Sequence, residues 1–90
     1  MEKSQTAAFV SLYTKHERDL YRYTLCLCPN EDEARDILQD ASVALWNKFD
    51  QYDSSRPFAA WAFRFIKLQV LKHRDSQKKH SNCFSDDILN

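Results

Sequence analysis

The chain has 90 residues, room for one domain with a modest core and not for two. It holds no Gly, two Pro and a formal net charge of zero. Tight sheet turns usually draw on Gly, so its absence excludes most β architectures and predicts helices joined by short polar connections. No apolar run approaches the roughly 20 residues that cross a bilayer, and the N-terminus lacks a signal-peptide core, so a cytoplasmic protein without a membrane partner is expected.

The zero balance hides an asymmetry. Residues 1–53 carry six Lys and Arg against ten Asp and Glu, whereas residues 54–80 carry seven against one. The last ten residues add Asp86 and Asp87. Such a split implies two surfaces with different partners, the basic one suited to nucleic acid.

In chain order, Phe9, Leu12, Tyr13, Leu20, Tyr23, Thr24 and Leu27 recur at spacings of three and four, which predicts helix over 6–28. Ser4 or Thr6 is a suitable cap. The polar patch 14–19 marks an expected bend between two helices, and Pro29 ends the run. Cys26, Cys28 and Cys83 form no CxxC pair. With His16, His73 and His80 scattered, no metal site and no cofactor are expected.

Asn30 is a predicted N-cap with Glu33 three residues on, a capping-box spacing. Glu31, Asp32 and Glu33 suit the positive end of the helix dipole. This second helix is expected to reach Phe49. Residues 50–56 read as a loop, with Ser55 capping a third helix and Pro57 in its first turn. The third helix is expected to end near Arg74. Residues 75–90 are polar and read as a linker or frayed tail.

Projection at about 100° per residue gives the second helix two faces. Ala34, Ile37, Leu38, Ala41, Ala44, Leu45 and Phe49 form a core face. Asp36, Gln39, Asp40, Val43, Trp46 and Asn47 lie opposite. An apolar pair among carboxylates and amides fits a protein-docking patch; the alternative is that Trp46 packs under another helix of the same domain. On the third helix, Phe58, Trp61, Ala62, Phe63, Phe65, Ile66, Leu68 and Val70 cover more than half the circumference, as in a helix wedged into a core. A stripe remains, on which Arg64, Lys67 and Arg74 line up for a phosphate backbone. Trp61 and Phe65 are expected in the core, which moves base stacking to Tyr52, Arg56 and Phe58.

Glu33-Ala34-Arg35-Asp36-Ile37-Leu38-Gln39-Asp40, then Trp46, then Phe58-x-x-Trp61-Ala62-Phe63-Arg64-Phe65, then Lys72-His73-Arg74 stand in a distinctive order. This order resembles region 2 of bacterial RNA polymerase sigma factors, above all the extracytoplasmic-function group of the sigma-70 family. The resemblance covers about Phe9 to Arg74. It implies an all-α bundle of three to four helices and a role in transcription initiation. Asp36, Gln39, Asp40 and Trp46 would dock on the clamp helices of the polymerase beta-prime subunit, and the exposed face adds Val43. The loop and third helix would recognise and melt the −10 promoter element, with Tyr52, Ser54, Arg56 and Phe58 around a flipped non-template base and Arg64, Lys67 and Arg74 near the backbone. An anti-sigma factor is a further partner the family allows.

Three positions depart from the family pattern. Arg35 replaces an acid, Ala62 a frequent Leu, and Leu68 a common Asn. The second domain of the family, region 4, has no room in 90 residues; the chain is either a fragment whose residues 75–90 lead toward that domain, which is the expectation, or a truncated protein. Two other function classes compete. A helix-turn-helix binder of duplex DNA needs base-reading side chains at the start of its recognition helix, and Pro57-Phe58-Ala59-Ala60 offers none. A pure protein-interaction bundle explains Val43 and Trp46 but not the basic stripe. No phosphate loop, paired nucleophile and base, or metal-ligand cluster points to an enzyme.

Overall fold

The computed structural model describes the backbone of residues 3–89 and the side chains of residues 4–76. Three helices follow one another: α1 Lys3–Leu27, α2 Glu31–Asn47 and α3 Phe58–Leu89, with one 3-10 turn at Phe49–Gln51 before α3. All three helices pack on one another.

α1 is continuous through the patch where a bend was expected. Nothing in that patch breaks a helix. Lys15, Glu17, Arg18 and Asp19 face solvent, while His16 turns inward. Its Nδ1 lies 2.8 Å from the Leu12 carbonyl, an acceptor only, so Nδ1 carries the proton. The ring packs on Phe58 at 5.5 Å. The one buried hydroxyl of α1, Thr24, donates to Leu20 O at 2.7 Å and so is satisfied within its own helix.

The turn into α2 forms as its sequence predicts. Pro29 halts α1, and Asn30, extended at φ −77° and ψ 121°, accepts the Glu33 N–H on its side-chain oxygen at 3.0 Å. The Glu33 carboxylate also accepts the Cys28 thiol at 3.3 Å. Burial, reinforced by that carboxylate, pushes the Cys28 thiol above its ordinary pKa.

The core is a set of helical ridges. α2 contributes Ala34, Ile37, Leu38, Ala41 and Leu45. α3 contributes Phe58, Ala62, Ile66 and Val70, one residue per turn at a spacing of four. Phe9 and Leu20 complete the core from α1. Ala34, Ala41 and Ala62 are wholly buried, and their small side chains let the three helices approach closely. Each large apolar side chain so buried stabilises the fold by roughly 1.5–3 kcal/mol.

α3 continues to Leu89, well past the expected end near Arg74. The reason is local: residues 75–89 contain neither Gly nor Pro, so no stop signal follows Arg74. Where α3 passes the α1–α2 turn, Arg74 Nη2 donates to Leu27 O at 2.7 Å, a contact between residues 47 apart. This guanidinium caps an orphan carbonyl at the end of α1. Beside it, His73 Nε2 lies 3.8 Å from Glu33 Oε2. The Arg74 hydrogen bond thus ties the α1 side of the turn to the middle of α3.

Candidate functional site

Two exposed surfaces carry the residues singled out above. The first is the outer face of α2. Asp36, Gln39, Asp40 and Val43 are all exposed, and Val43 keeps 56 % of its surface in water. All four lie within about two helical turns, so carboxylates, an amide and an isolated apolar side chain form one patch. Trp46 sits at its edge and is half-buried. Its ring meets Phe9 edge-on at 5.3 Å, so much of this indole serves the core. The patch borders an open groove of about 710 Å³ between α1 and α2, where Tyr13, Arg18, Tyr21 and Arg35 join Gln39.

The second surface is the segment between α2 and α3 with the first turns of α3. Its shape is fixed by short-range hydrogen bonds. Asp53 Oδ1 accepts both the Ser55 N–H at 2.9 Å and the Ser55 hydroxyl at 2.7 Å. Ser55 is therefore spent on Asp53 and does not cap α3 as expected. Pro57 instead supplies the first helical acceptor, bonded by the Trp61 N–H at 3.3 Å. The Arg56 N–H closes a turn on Asp53 O at 3.0 Å, and the Tyr52 hydroxyl donates to Arg56 O. The Ser55 hydrogen bonds, with a smaller share from Arg56, hold the Asp53 carboxyl below its ordinary range.

This loop and α3 enclose a pocket of about 410 Å³ lined by Tyr52, Asp53, Arg56, Pro57, Trp61 and Arg64 among others. Tyr52 and Trp61 form its aromatic wall, with ring centroids 4.9 Å apart. Arg56 and Arg64 are exposed cations beside it. An open pocket with aromatic walls, a hydrogen-bonded carboxylate and flanking guanidinium groups can take a planar heterocycle attached to an anionic chain.

The structure brings Tyr52, Arg56 and Arg64 together in this pocket. Ser54 is exposed in the same loop, and Lys67 is exposed one turn beyond Arg64. Phe58 and Trp61 exchange the places expected for them. Phe58 is 2 % exposed and packs on Phe9 and His16, whereas Trp61 is half-buried and lines the pocket. Arg74 lies apart, committed to the end of α1. Among the described residues no group of three or more His, Cys, Asp or Glu is placed to hold a metal ion. No helix among them is long and apolar enough to cross a membrane.

Three packed helices, an exposed acidic face on the second and a cationic aromatic pocket at the start of the third define a class. A family profile described as Sigma-70 region 2 matches residues 12–80, and the chain belongs to this family. Among curated relatives, it is similar to the RNA polymerase sigma factor CnrH of Cupriavidus metallidurans, at 37 % identity over 63 % of this chain and 30 % of the relative. It is similar to the RNA polymerase sigma factor NccH of Alcaligenes xylosoxydans xylosoxydans, at 35 % identity over 79 % of this chain and 37 % of the relative. It is also similar to the ECF RNA polymerase sigma factor SigL of Mycobacterium tuberculosis, at 28 % identity over 83 % of this chain and 43 % of the relative. By name all three are RNA polymerase sigma factors, and SigL is one of the ECF group. The chain spans less than half the length of each of them. No solved structure matches it.

Proposed function

We propose that the chain joins core RNA polymerase to single-stranded promoter DNA in the cytoplasm. The outer face of α2 docks on the beta-prime clamp helices through Asp36, Gln39, Asp40 and Val43, with the edge of Trp46. The loop and α3 hold a base of the non-template −10 strand out of its stack and so favour melting. In a longer chain, residues 75–90 connect this domain to a second promoter-reading one.

The observation that carries this reading is the pocket in which Tyr52 and Trp61 stand between Arg56 and Arg64. Unstacking a base costs on the order of a few kcal/mol, least on a strand already open. Contact with an aromatic wall returns about 1–3 kcal/mol per base. Arg56, Arg64 and Lys67 hold phosphates beside the pocket, and Asp53, low in pKa and therefore ionised at neutral pH, keeps phosphate out of the pocket itself. Base and backbone are thereby sorted to different parts of one surface.

The test is binding of a fluorescent non-template −10 oligonucleotide to the complex of this chain with core polymerase, measured over a range of salt. Arg64→Ala with Lys67→Ala is expected to weaken binding and to flatten the log-affinity against log-salt slope by about 1.4, two phosphate contacts on a single strand. Unchanged affinity and slope would remove α3 from the DNA surface.

A further inference from the structure

The buried seam of α3 runs through Phe58, Ala62, Ile66 and Val70, one residue in every four. The next position in that register is Arg74, so the seam turns from apolar to polar after Val70. Arg74 fastens this turn of α3 to the end of α1 through Leu27 O. A guanidinium stays charged throughout the pH range in which proteins fold, so this tie does not vary.

His73, beside it, is different. Its Nε2 is shielded from water and has no hydrogen-bond partner among the described residues. Glu33 Oε2, on α2, stands 3.8 Å away, too far for a hydrogen bond. A shielded ring nitrogen without a partner costs free energy, so the contact is incomplete while the ring is neutral. The two side chains keep 28 % and 34 % of their surface in water, which lets protons from solvent reach the pair. The same carboxylate oxygen accepts the Cys28 thiol, so α1, α2 and α3 meet at one polar cluster.

We propose that His73 and Glu33 form a proton-operated latch between α3 and the start of α2. Histidine is the side chain whose ordinary titration falls between about pH 5 and 8. When the imidazole takes a proton from solvent, both ring nitrogens become donors. Nε2–H then faces a carboxylate oxygen, and an approach of about 1 Å makes a charge-assisted hydrogen bond of about 2.8 Å. Among the described residues, the ionisable groups around the ring are Glu33 from α2, Cys28 from the end of α1, and Lys72, Arg74 and Asp75 from α3 itself. The Cys28 thiol, pushed up by burial and by Glu33, adds no charge. Lys72 and Arg74 oppose a further cation, but Lys72 is exposed and Arg74 is aimed at Leu27 O. Glu33 meets the ring directly, and Coulomb energy falls with distance, so attraction prevails. The tie is complete while the ring is protonated and Glu33 ionised, and it is lost as rising pH discharges the ring. Because α2 carries the acidic face and α3 helps form the loop pocket, the latch sets with pH how firmly the two surfaces are held to each other.

The experiment is NMR on the isotope-labelled 90-residue chain, titrated between about pH 5 and 8. Long-range imidazole correlations report the charge on His73. As the ring gains its proton, the Nε2 proton is expected to become visible and to exchange slowly with water. The protection factors of the Cys28 amide and of amides 70–74 should rise together by about threefold, the scale of a partly exposed ion pair. His73→Gln removes the rise. Glu33→Gln leaves the N-cap in place, because Asn30 holds the backbone N–H of that residue. In this variant the ring still titrates, but the slow Nε2 proton and the rise in protection are both lost. If His73 charges in the parent with no slow Nε2 proton and no gain in protection, the latch is overturned. An equal gain in either variant overturns it as well, since the gain would then owe nothing to this pair.

Discussion

The outer face of α2 and the surface formed by the loop and α3 are built in different ways, and the roles proposed for them differ accordingly. α2 presents a regular patch: Asp36, Gln39, Asp40 and Val43 follow helical spacing on a helix whose other side is core. Nothing about it requires a cavity, which suits contact with another folded helix pair. The second surface departs from regularity. A 3-10 turn, a side-chain-closed loop and the first turns of α3 combine to make a pocket. A rigid rod is enough to meet a rigid partner, whereas the base seat proposed for the second surface needs the concavity that the loop and α3 form together.

The contrast can be broken first at Phe58 and Trp61, whose roles the structure separates. Phe58→Ala removes a buried ring and is expected to destabilise the domain by about 3–5 kcal/mol, read as a lowered midpoint in chemical unfolding. Trp61→Ala removes a pocket wall. It is expected to weaken single-strand binding by about 1–3 kcal/mol with a smaller loss of stability. Equal losses of stability for the two variants would mean that the pocket wall is simply core.

A smaller effect separates Arg74 from the other cations. Its hydrogen bond to Leu27 O predicts that Arg74→Ala lowers stability by about 1 kcal/mol and leaves the salt slope of strand binding unchanged. Arg64→Ala is expected to do the reverse. The smallest effect is one of pH. Folding lowers the Asp53 pKa, so its contribution to loop order is complete above the ordinary carboxylate range. That contribution is lost as pH falls through the lower folded value. The Ser55 amide resonance should follow this titration, and Asp53→Asn should abolish it.

Most of the fold was legible because it rests on local rules. Asn30 caps α2 as its spacing with Glu33 predicts, and the buried positions of α2 fall on the projected face. The departures come from contacts that no local rule contains. Phe58 and Trp61 lie in the first turn of α3, where the return path of the loop decides which ring is covered. Trp46 reaches inward because Phe9, far away in sequence, lies beside it. Arg74 leaves the basic stripe for a carbonyl 47 residues earlier. Of the residues that line the loop pocket, Tyr52, Arg56 and Arg64 were legible in the sequence, whereas Trp61 was hidden by an aromatic density that argued equally for core.

The central claim is that polymerase docking belongs to α2 and not to the basic surface. Affinity of the chain for a beta-prime clamp-helix fragment measures it directly, with Gln39→Lys plus Asp40→Lys set against Arg64→Ala plus Lys67→Ala. The α2 pair should cost about 2 kcal/mol or more, a thirtyfold weakening or greater, and the α3 pair should cost almost nothing. Undiminished affinity in the α2 variant, or an equal loss in both, would contradict the division of labour between the two faces.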